Sequence, residues 1–425
     1  MLPLMEAHPW AAYLDSGGEI VSTRSRWSFL CLSPAETLTL SGHTLLRNDH
    51  PVIGDPWQHL RQIAQTAVAS DSEPDLPFSG GVIGLASYES GLKQNDLSSR
   101  HPSGTPSFLA ASFTDVLAFD RREKRCRWIS KAGNPPPDFT PRSGFPVNPP
   151  LCFIPDQDRE DWMKSVRKII EFIEAGDIFQ ANLTMRWFAK RPAGFNERAA
   201  YHALRATSPA PFGAWLKTPD VSLLSASVER FISLSAEGRI ETRPIKGTAP
   251  AGKTEADKRR NTEILSVDEK ELAENLMITD LMRHDIGRVS RLGSVAVPQL
   301  SKVEQFTHLL HLVSEVEGRL RPGLDAIDLL KATLPPGSVT GAPKKRAMEV
   351  IDQLETSARG AYCGSLFRIS HDGAMDSSVI IRSLVRENQD RLSIGAGGGI
   401  TWLSDPAREY DEMVLKATPL LKAFS

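Results

Sequence analysis

The order of strand-like and helix-like segments along this chain indicates its fold class. Short β-like runs bounded by turn signals follow one another in the N-terminal third, as at 116–130, and long helical patterns are inserted between later groups of strands. Strict alternation of strand and helix would predict a doubly wound parallel sheet, whereas grouped strands with inserted helices are typical of α+β proteins. We therefore expect an α+β fold.

Three segments of the C-terminal part show helical periodicity. The apolar positions of the first are Trp162, Val166, Ile169, Ile170 and Ile173. Gly176 supplies the stop of this helix, because glycine is the usual residue just beyond a helix C-terminus. The second predicted helix covers about 257–283 and the last about 406–422.

Strand-like runs lie between these helices. One pair of runs, 222–235 and 239–245, is split by Ala236-Glu237-Gly238. Further on, the run AYCGSLFRIS is followed by His371-Asp372-Gly373 and then by AMDSSVIIRSLVR, which predicts a hairpin because Asp-Gly suits its turn. A last strand, LSIGAGGGI, precedes the final helix.

A proline-rich segment divides the chain in composition. Residues 131–155 contain eight prolines, and proline removes backbone donors and blocks helix formation. The segment is therefore expected to be an extended connector between a β-rich N-terminal region, 1–130, and a catalytic region, 156–425.

Composition excludes several classes of function. The formal net charge is −2, which gives no nucleic-acid footprint. No apolar run approaches the roughly 18 residues of a membrane helix, and the N-terminus lacks the pattern of a secretory signal. The four cysteines are far apart and form no CxxC pair, which favours reduced thiols in a cytoplasmic protein over a disulfide or zinc framework.

Two pairs of acidic residues are candidates for a metal site. Glu271 and Glu274 share one face of the second predicted helix, which is apolar nearly all round and therefore expected to be buried. Glu409 and Glu412 have the same spacing on the last helix. Buried carboxylates need a partner, and Mg²⁺ prefers a few carboxylates with water and ligand oxygens. Spacing alone favours salt-bridged surface glutamates over a metal site.

The motif RPIKGT places Lys246 between an apolar residue and a glycine, where we expect a strand to end. A lysine that points into a cleft there would be desolvated, which would lower its pKa and make it nucleophilic. Glu229, expected on a neighbouring strand, would be an acid/base partner. The alternative is a solvated lysine in a turn.

Other residues could hold an anionic ligand. The glycines at 395–399 permit close approach of a backbone to carboxylates, and the run 337–344 combines small residues, hydroxyls and lysines without the spacing of a nucleotide loop. Arg382 is expected inside an apolar strand, where it needs an anion: a substrate carboxylate or an internal salt bridge. By spacing alone, His311 is either a hydrogen-bonded core residue or a catalytic group.

Nine motifs follow one another along the chain: DIFQANLT (177–184), SASVERF (225–231), RPIKGT (243–248), AENLMITDLMRHDIGRV (273–289), HLVSEVEG (311–318), PGSVTGAPKKRAMEVI (336–351), RGAYCGSL (359–366), MDSSVIIRSL (375–384) and GAGGGITWLSDPAREYDEMVLKA (395–417). In this order they resemble the chorismate-utilising enzymes, which include anthranilate, aminodeoxychorismate, isochorismate and salicylate synthases. The resemblance covers about 160–425 and continues more loosely through YLDSGG (13–18) and SRWSFLCLSP (25–34). It implies one large unit with two β-sheets at the core, helices covering them and the active site between them.

Lys246 decides the branch that the chain resembles, because anthranilate synthases usually carry alanine there and aminodeoxychorismate synthases carry lysine. The resemblance implies that Lys246 attacks ring carbon 2 of chorismate as the 4-hydroxyl leaves. Ammonia then enters at carbon 4 and displaces the lysine from carbon 2. The implied product is 4-amino-4-deoxychorismate, which a separate lyase would convert to 4-aminobenzoate for folate synthesis.

The resemblance also assigns roles to individual residues. It implies that Glu229 is the acid/base and that His311 lies near the departing hydroxyl, with a role that stays open. It implies Mg²⁺ as the cofactor. The implied ligands of the metal are Glu274 and Glu412, with Glu271 and Glu409 as near neighbours. The implied substrate-binding residues are Ser338, Tyr362, Arg382, Gly395 and Gly397.

Some positions depart from the family pattern. Ala251 follows Pro250 where arginine is frequent, His284 stands for a common asparagine and Ala181 for a valine. The chain shows no glutaminase of its own, so a separate glutamine amidotransferase subunit is implied as the ammonia source. An anthranilate synthase large subunit and a non-catalytic chorismate or tryptophan sensor stay as alternatives. Whether the N-terminal region holds a tryptophan pocket, as in relatives, is left open.

Overall fold

A computed structural model describes residues 1–18, 25–66, 76–131, 133–138, 144, 146–252, 254–306 and 309–425 of the protein. Within these ranges it contains ten α-helices: α1 Leu2–Glu6, α2 Pro56–Thr66, α3 Tyr88–Gln94, α4 Arg159–Glu174, α5 Glu197–Thr207, α6 Glu255–Val267, α7 Glu269–Gly287, α8 Ala326–Thr333, α9 Lys344–Leu354 and α10 Pro406–Phe424. None of these ten helices combines the length and the hydrophobicity that a transmembrane helix requires.

The strands of the described residues form two antiparallel sheets. The strands are β1 Ala11–Asp15, β2 Trp27–Leu32, β3 Glu36–Ser41, β4 Thr44–Arg47, β5 His50–Pro51, β6 Gly81–Ala86, β7 Phe108–Phe113, β8 Asp115–Asp120, β9 Arg125–Ser130, β10 Ile154–Pro155, β11 Gln180–Lys190, β12 Phe212–Lys217, β13 Ser222–Ser227, β14 Arg230–Leu234, β15 Arg239–Thr242, β16 Ile245–Pro250, β17 Ala296–Phe306, β18 Leu309–Arg319, β19 Gly341–Ala342, β20 Ser365–Ser370, β21 Met375–Val379, β22 Ser383–Arg386 and β23 Arg391–Ile400.

The first sheet has the order β10-β11-β23-β22-β13-β12-β1-β2-β8-β9, and β19 also pairs with β11. The second sheet has the order β16-β18-β15-β14-β21-β20-β6-β7-β3-β4-β5, and β17 also pairs with β18. Each sheet contains strands from both the N-terminal and the C-terminal region. The expected α+β fold with two sheets in one unit is therefore confirmed.

Three large apolar clusters hold the layers together. The first joins the first sheet to α4, α5 and α10, and the second joins the second sheet to α2, α7 and α8. The third contains residues of both sheets, such as Phe29 on β2 and Ile83 on β6, and lies between them. Burial of these apolar surfaces is the main stabilising contribution, so the two sheets are the rigid frame on which the polar site is built.

The helix α4 forms largely as its sequence predicts. Asp158 caps it by accepting a hydrogen bond from the Asp161 N–H at 2.8 Å. Trp162, Val166 and Ile169 are buried against the first sheet. The helix ends at Glu174, and Gly176 has a φ of +80°, a left-handed conformation that favours glycine. The predicted final helix is confirmed as α10, and the predicted strand at its start as β23.

The prediction of one long helix at 257–283 is wrong. Asp268 ends α6 and caps α7, because its side chain accepts a hydrogen bond from the Glu271 N–H at 3.1 Å. The expectation that this segment is buried all round is also wrong: Val267 is 70% exposed and Leu276 is 53% exposed. Only one face of α7 packs on the second sheet, and that face carries Glu274.

Two predicted strands are each divided between the sheets. The run at 222–235 breaks at Val228 and Glu229, where the chain passes from β13 in the first sheet to β14 in the second. The second half of the predicted hairpin breaks between β21 and β22 in the same way. The hairpin itself is confirmed as β20 and β21, which pair from Ser365↔Val379 to Ile369↔Met375. Local patterns cannot show such crossings, since both halves are equally apolar.

Candidate active site

Lys246 lies on an edge strand and points toward helix α7. It is the second residue of β16, not the end of the preceding strand as expected, and it pairs with Leu312 on β18. Its side chain is 16% exposed, and its Nζ lies 3.9 Å from Glu274 Oε2. Gly247, which follows it, has a φ of +76° at an irregularity in the ladder, so the strand changes direction immediately beyond the lysine.

One residue explains why Lys246 and Glu274 meet. Asn275, next to Glu274 on α7, is fully buried and donates from Nδ2 to the Leu312 carbonyl at 3.2 Å. Leu312 is the residue that pairs with Lys246 across β16 and β18. The Asn275 Oδ1 also accepts a hydrogen bond from the Ser301 hydroxyl at 3.1 Å. These bonds attach the helix to the sheet at the position of the lysine.

Glu229 lies in the crossing between β13 and β14, not within a strand as expected. Its carbonyl accepts a hydrogen bond from the Val379 N–H at 3.1 Å, which anchors the crossing to β21. Burial raises the pKa of Glu229, and the nearby Ser338 hydroxyl and Lys246 oppose that rise. The structure therefore brings Ser338 and Lys246 close enough to the Glu229 carboxyl to affect its pKa.

His311 lies on β18 opposite Thr248. Its Nδ1 is 3.0 Å from Thr248 Oγ1. Burial lowers the pKa of His311 below its ordinary value of 6.5, and a backbone hydrogen bond with Gly247 opposes the change. The ring is therefore neutral near pH 7 and lies close to the strand that carries Lys246.

The predicted glutamates lie on facing helices, with lysines between them. Glu274 on α7 is 7% exposed and Glu409 on α10 is 5% exposed. Lys270 Nζ lies 3.2 Å from Glu409 Oε1 and 4.0 Å from Glu274 Oε1. Burial raises the pKa of Glu274, Lys246 and Lys270 oppose the rise, and the charges of Glu409 and Glu412 add to it.

Glu271 and Glu412 stand at the edges of this cluster. The side chain of Glu412 is 52% exposed and pairs with Lys416 at 2.8 Å. Partial burial would raise the pKa of Glu412, but Lys416, Lys270 and Lys246 together outweigh it, and the pKa is lowered. Glu271 Oε2 lies 3.2 Å from the point where a Cβ on Gly247 would stand. Within the described residues, no three His, Cys, Asp or Glu side chains form a group able to hold a metal ion by themselves.

The expected carboxylate-binding residues surround β23. A Cβ on Gly395 would stand 2.5 Å from the Tyr362 ring, so only glycine allows this close approach. Gly397 pairs with Thr184 on β11, and its carbonyl accepts a hydrogen bond from Lys416 Nζ at 3.2 Å. The ladder and the close packing hold this strand in a single register.

Arg382 lies between β21 and β22 rather than inside a strand, with a φ of +52°. Its Nη1 donates to the Lys416 carbonyl on α10 at 3.1 Å. Burial lowers the pKa of Arg382, and Tyr362 opposes the change. The internal salt bridge that the sequence left open does not form within the described residues, because no carboxylate pairs with this guanidinium. Arg382 thus keeps donors for an anion.

Sequence reasoning missed several polar residues of the site. Lys270 and Lys416 pair with the glutamates, and each stands four residues from a predicted glutamate on its helix, a spacing that indicates a pair. Gln180 is a further such residue, and it lies in the motif DIFQANLT. It is 1% exposed, and a Cβ on Gly399 would stand 2.3 Å from its Nε2 and 3.3 Å from Glu274 Oε2. A polar residue at the start of an apolar strand was the available signal.

A separate cavity of about 770 Å³ lies elsewhere between the sheets. Its walls include Ser16, Arg26, Arg230, Glu241 and Asp376. None of the predicted site residues lines it, so it is distinct from the cluster around Lys246. Arg230 and Asp376 form an ion pair in its wall, with Arg230 Nε 2.9 Å from Asp376 Oδ1.

A family model described as chorismate binding enzyme matches residues 14–422. The chain belongs to the chorismate-binding enzymes. It is 36% identical to the aminodeoxychorismate synthase component 1 of Klebsiella aerogenes, over 98% of this chain and 94% of the relative. It is 37% identical to the anthranilate synthase component 1 of Thermus thermophilus, over 99% of this chain and 94% of the relative.

A solved structure of the same family has the same architecture. The anthranilate synthase component I of Streptococcus pneumoniae superposes with a TM-score of 0.80 and 32% identity, covering 95% of this chain and 93% of that one. Identity to relatives with two different activities is nearly equal. The chain is therefore a chorismate-utilising enzyme, and its product must be inferred from the residues of the site.

Proposed function

We propose that this chain is the large subunit of an aminodeoxychorismate synthase, which converts chorismate and ammonia to 4-amino-4-deoxychorismate. The observation that carries the proposal is the position of Lys246, with Nζ 3.9 Å from Glu274 Oε2 and in the electrostatic neighbourhood of Glu229. Direct addition of ammonia to the ring would require no amine from the protein. A primary amine in this pocket is instead the nucleophile that a two-step amination requires.

The residues divide the reaction into two displacements. Lys246 Nζ forms a bond to ring carbon 2 of chorismate, the ring double bond shifts, and the carbon 4–oxygen bond breaks. Glu229, whose pKa is raised by burial, gives its proton to the departing hydroxyl, which leaves as water. Ammonia then bonds to carbon 4, the double bond shifts back, the bond to Lys246 breaks and the proton lost by ammonia returns to Glu229. Neutral His311 would contact the departing hydroxyl.

The glutamates fit a bound Mg²⁺. Burial raises the pKa of Glu274, and the charges of Glu409 and Glu412 raise it further, so a cation among them would relieve this repulsion. Glu274 and Glu412 would hold the metal, with Glu271 and Glu409 nearby and substrate oxygens and water completing its shell. The ion would supply positive charge for the ring carboxylate of chorismate. Tyr362, Arg382 and the backbone at Gly395 and Gly397 would bind the other carboxylate, beside Ser338.

The proposed ammonia source is a separate glutamine amidotransferase subunit. The relatives at 36% identity are named as component 1 of their enzyme. Cys31 and Cys363 are buried, and burial raises the pKa of Cys363 to about 12, which disfavours the thiolate that a glutaminase needs. Neither exposed cysteine, Cys126 or Cys152, has a glycine neighbour.

The test is incubation of the purified chain with chorismate, Mg²⁺ and ammonium chloride, followed by mass spectrometry of the products. We expect a product that keeps the enolpyruvyl group and carries nitrogen at carbon 4. Anthranilate and free pyruvate as the main products would contradict the proposal and identify an anthranilate synthase. Chorismate binding without any turnover would instead identify a sensor.

A further inference from the structure

The side-chain amide of Gln180 is buried but forms no hydrogen bond with the described residues. The residue is 1% exposed, and within the described residues neither Oε1 nor Nε2 has a hydrogen-bond partner. Burying an unpaired amide is unfavourable, so most buried amides in proteins are satisfied by protein, water or a ligand. An apolar side chain would fill this place without that cost.

The amide points into the candidate active site. The position of a Cβ on Gly399 would lie 2.3 Å from Gln180 Nε2 and 3.3 Å from Glu274 Oε2, so both atoms border the same small space. The same Glu274 oxygen lies 3.9 Å from Lys246 Nζ. Gly399 therefore leaves room for the amide beside the metal-binding carboxylate and the nucleophile.

One other buried hydroxyl near the start of β11, Thr401 Oγ1, also has no hydrogen-bond partner in the described part of the chain. Thr401 follows Ile400, which pairs with Ala181, the residue next to Gln180 on β11. Unpaired polar groups on two adjoining segments indicate a place where a polar ligand completes the hydrogen bonds.

We propose that Gln180 is a substrate-binding residue whose Nε2–H donates to the ring carboxylate of chorismate. The inference rests on the proposed binding of that carboxylate at a cation held by Glu274. A carboxylate oxygen in the space beside Gly399 would accept from the amide while its other oxygen faced the cation. An amide suits this position because it donates without adding a charge to a site that already contains four glutamates.

The test measures binding of a ring carboxylate that cannot react. Benzoate is titrated calorimetrically into the wild-type chain and the Gln180→Leu variant, with saturating Mg²⁺ and no ammonium. We expect the dissociation constant to rise about 10- to 100-fold, the range for losing a hydrogen bond to a charged group. Pyruvate, a probe of the other carboxylate subsite, should bind both proteins equally. The control Gln157→Leu removes another amide with an unpaired Nε2, outside the site, and should change neither constant.

A second variant keeps the amide and moves it. In Gly399→Ala the new Cβ would collide with Gln180 Nε2, so benzoate should bind about as weakly as in Gln180→Leu even if the latter folds poorly. Unchanged benzoate binding in both variants would overturn the proposal. Mn²⁺ binding to Gln180→Leu is measured by electron paramagnetic resonance. A loss of Mn²⁺ affinity without a loss of benzoate affinity would also overturn the proposal, because it would identify Gln180 as a metal ligand. Benzoate binding needs neither Lys246 nor ammonia, so its outcome is independent of which product the enzyme makes.

Discussion

Lys246 Nζ lies 3.9 Å from Glu274 Oε2 because both residues are fixed to Leu312, one by strand pairing and the other through the neighbouring Asn275. The nucleophile and the carboxylate proposed to hold the metal therefore keep their spacing through a single backbone position of β18. This relationship links the chemistry of the site to the register of the second sheet.

Lys246→Ala should abolish the covalent adduct with chorismate and reduce amination with ammonia by several orders of magnitude. The substitution removes the only atom proposed to attack ring carbon 2. Mass spectrometry of the intact protein after incubation with chorismate measures the adduct, and Lys258→Ala on α6 is the control. A chorismate-derived adduct on another residue would refute the assignment.

Glu274→Gln and Glu412→Gln should raise the Mg²⁺ concentration needed for half-maximal turnover. Each change removes an anionic ligand, and metal charge stabilisation is typically worth several kcal/mol. The effect should be larger for buried Glu274 than for Glu412, whose side chain is 52% exposed and already paired with Lys416. The titration is made against EDTA-treated enzyme; turnover that EDTA leaves unchanged would show that the metal site is wrong.

Glu229→Gln should change the dependence of stability on pH. Because the pKa of Glu229 is raised in the folded protein, the folded state binds its proton more tightly than the unfolded chain does. The free energy of unfolding should therefore fall as pH rises through that raised pKa. Relative to wild type, the variant should gain stability at pH 8 and lose the advantage near pH 4. Urea denaturation measures this, with exposed Glu263→Gln as the control; identical pH profiles would disprove it.

Lys344→Met should destabilise the fold by about 3–5 kcal/mol, the usual cost of leaving one member of a buried ion pair alone. Lys344 pairs with buried Asp285 on α7, and its Nζ donates to the Thr333 and Pro335 carbonyls, each at 2.9 Å. The neighbouring exposed Lys345→Met is a matched control. A urea midpoint equal for both variants would show that the pair contributes little.

The purified chain should aminate chorismate with ammonium salts and ignore glutamine. Neither buried thiol is available for glutaminase chemistry, since burial raises the pKa of both Cys31 and Cys363. The measurement compares product formation with ammonium chloride and with glutamine at equal nitrogen concentration. Robust turnover with glutamine by this chain alone would refute the need for a partner subunit.

The α+β class, the helices α4 and α10, the hairpin of β20 and β21, and the family could all be predicted from the sequence. These features depend on periodicity, turn residues and the order of motifs, all of which can be read from residues close together in the sequence. The motifs also named Glu229, Lys246 and the glutamates as candidates, and the structure gathers them into one region.

How those residues face one another depends on contacts that local sequence patterns do not specify. The break at Asp268, the crossing at Glu229 and the position of Arg382 between two sheets all depend on which sheet each half of an apolar run joins. Burial of Glu409 beside Lys270, exposure of Glu412 and the unpaired amide of Gln180 arise where α7, α10 and β11 meet. Periodicity reports the face of one element, whereas such contacts depend on packing between elements far apart in sequence.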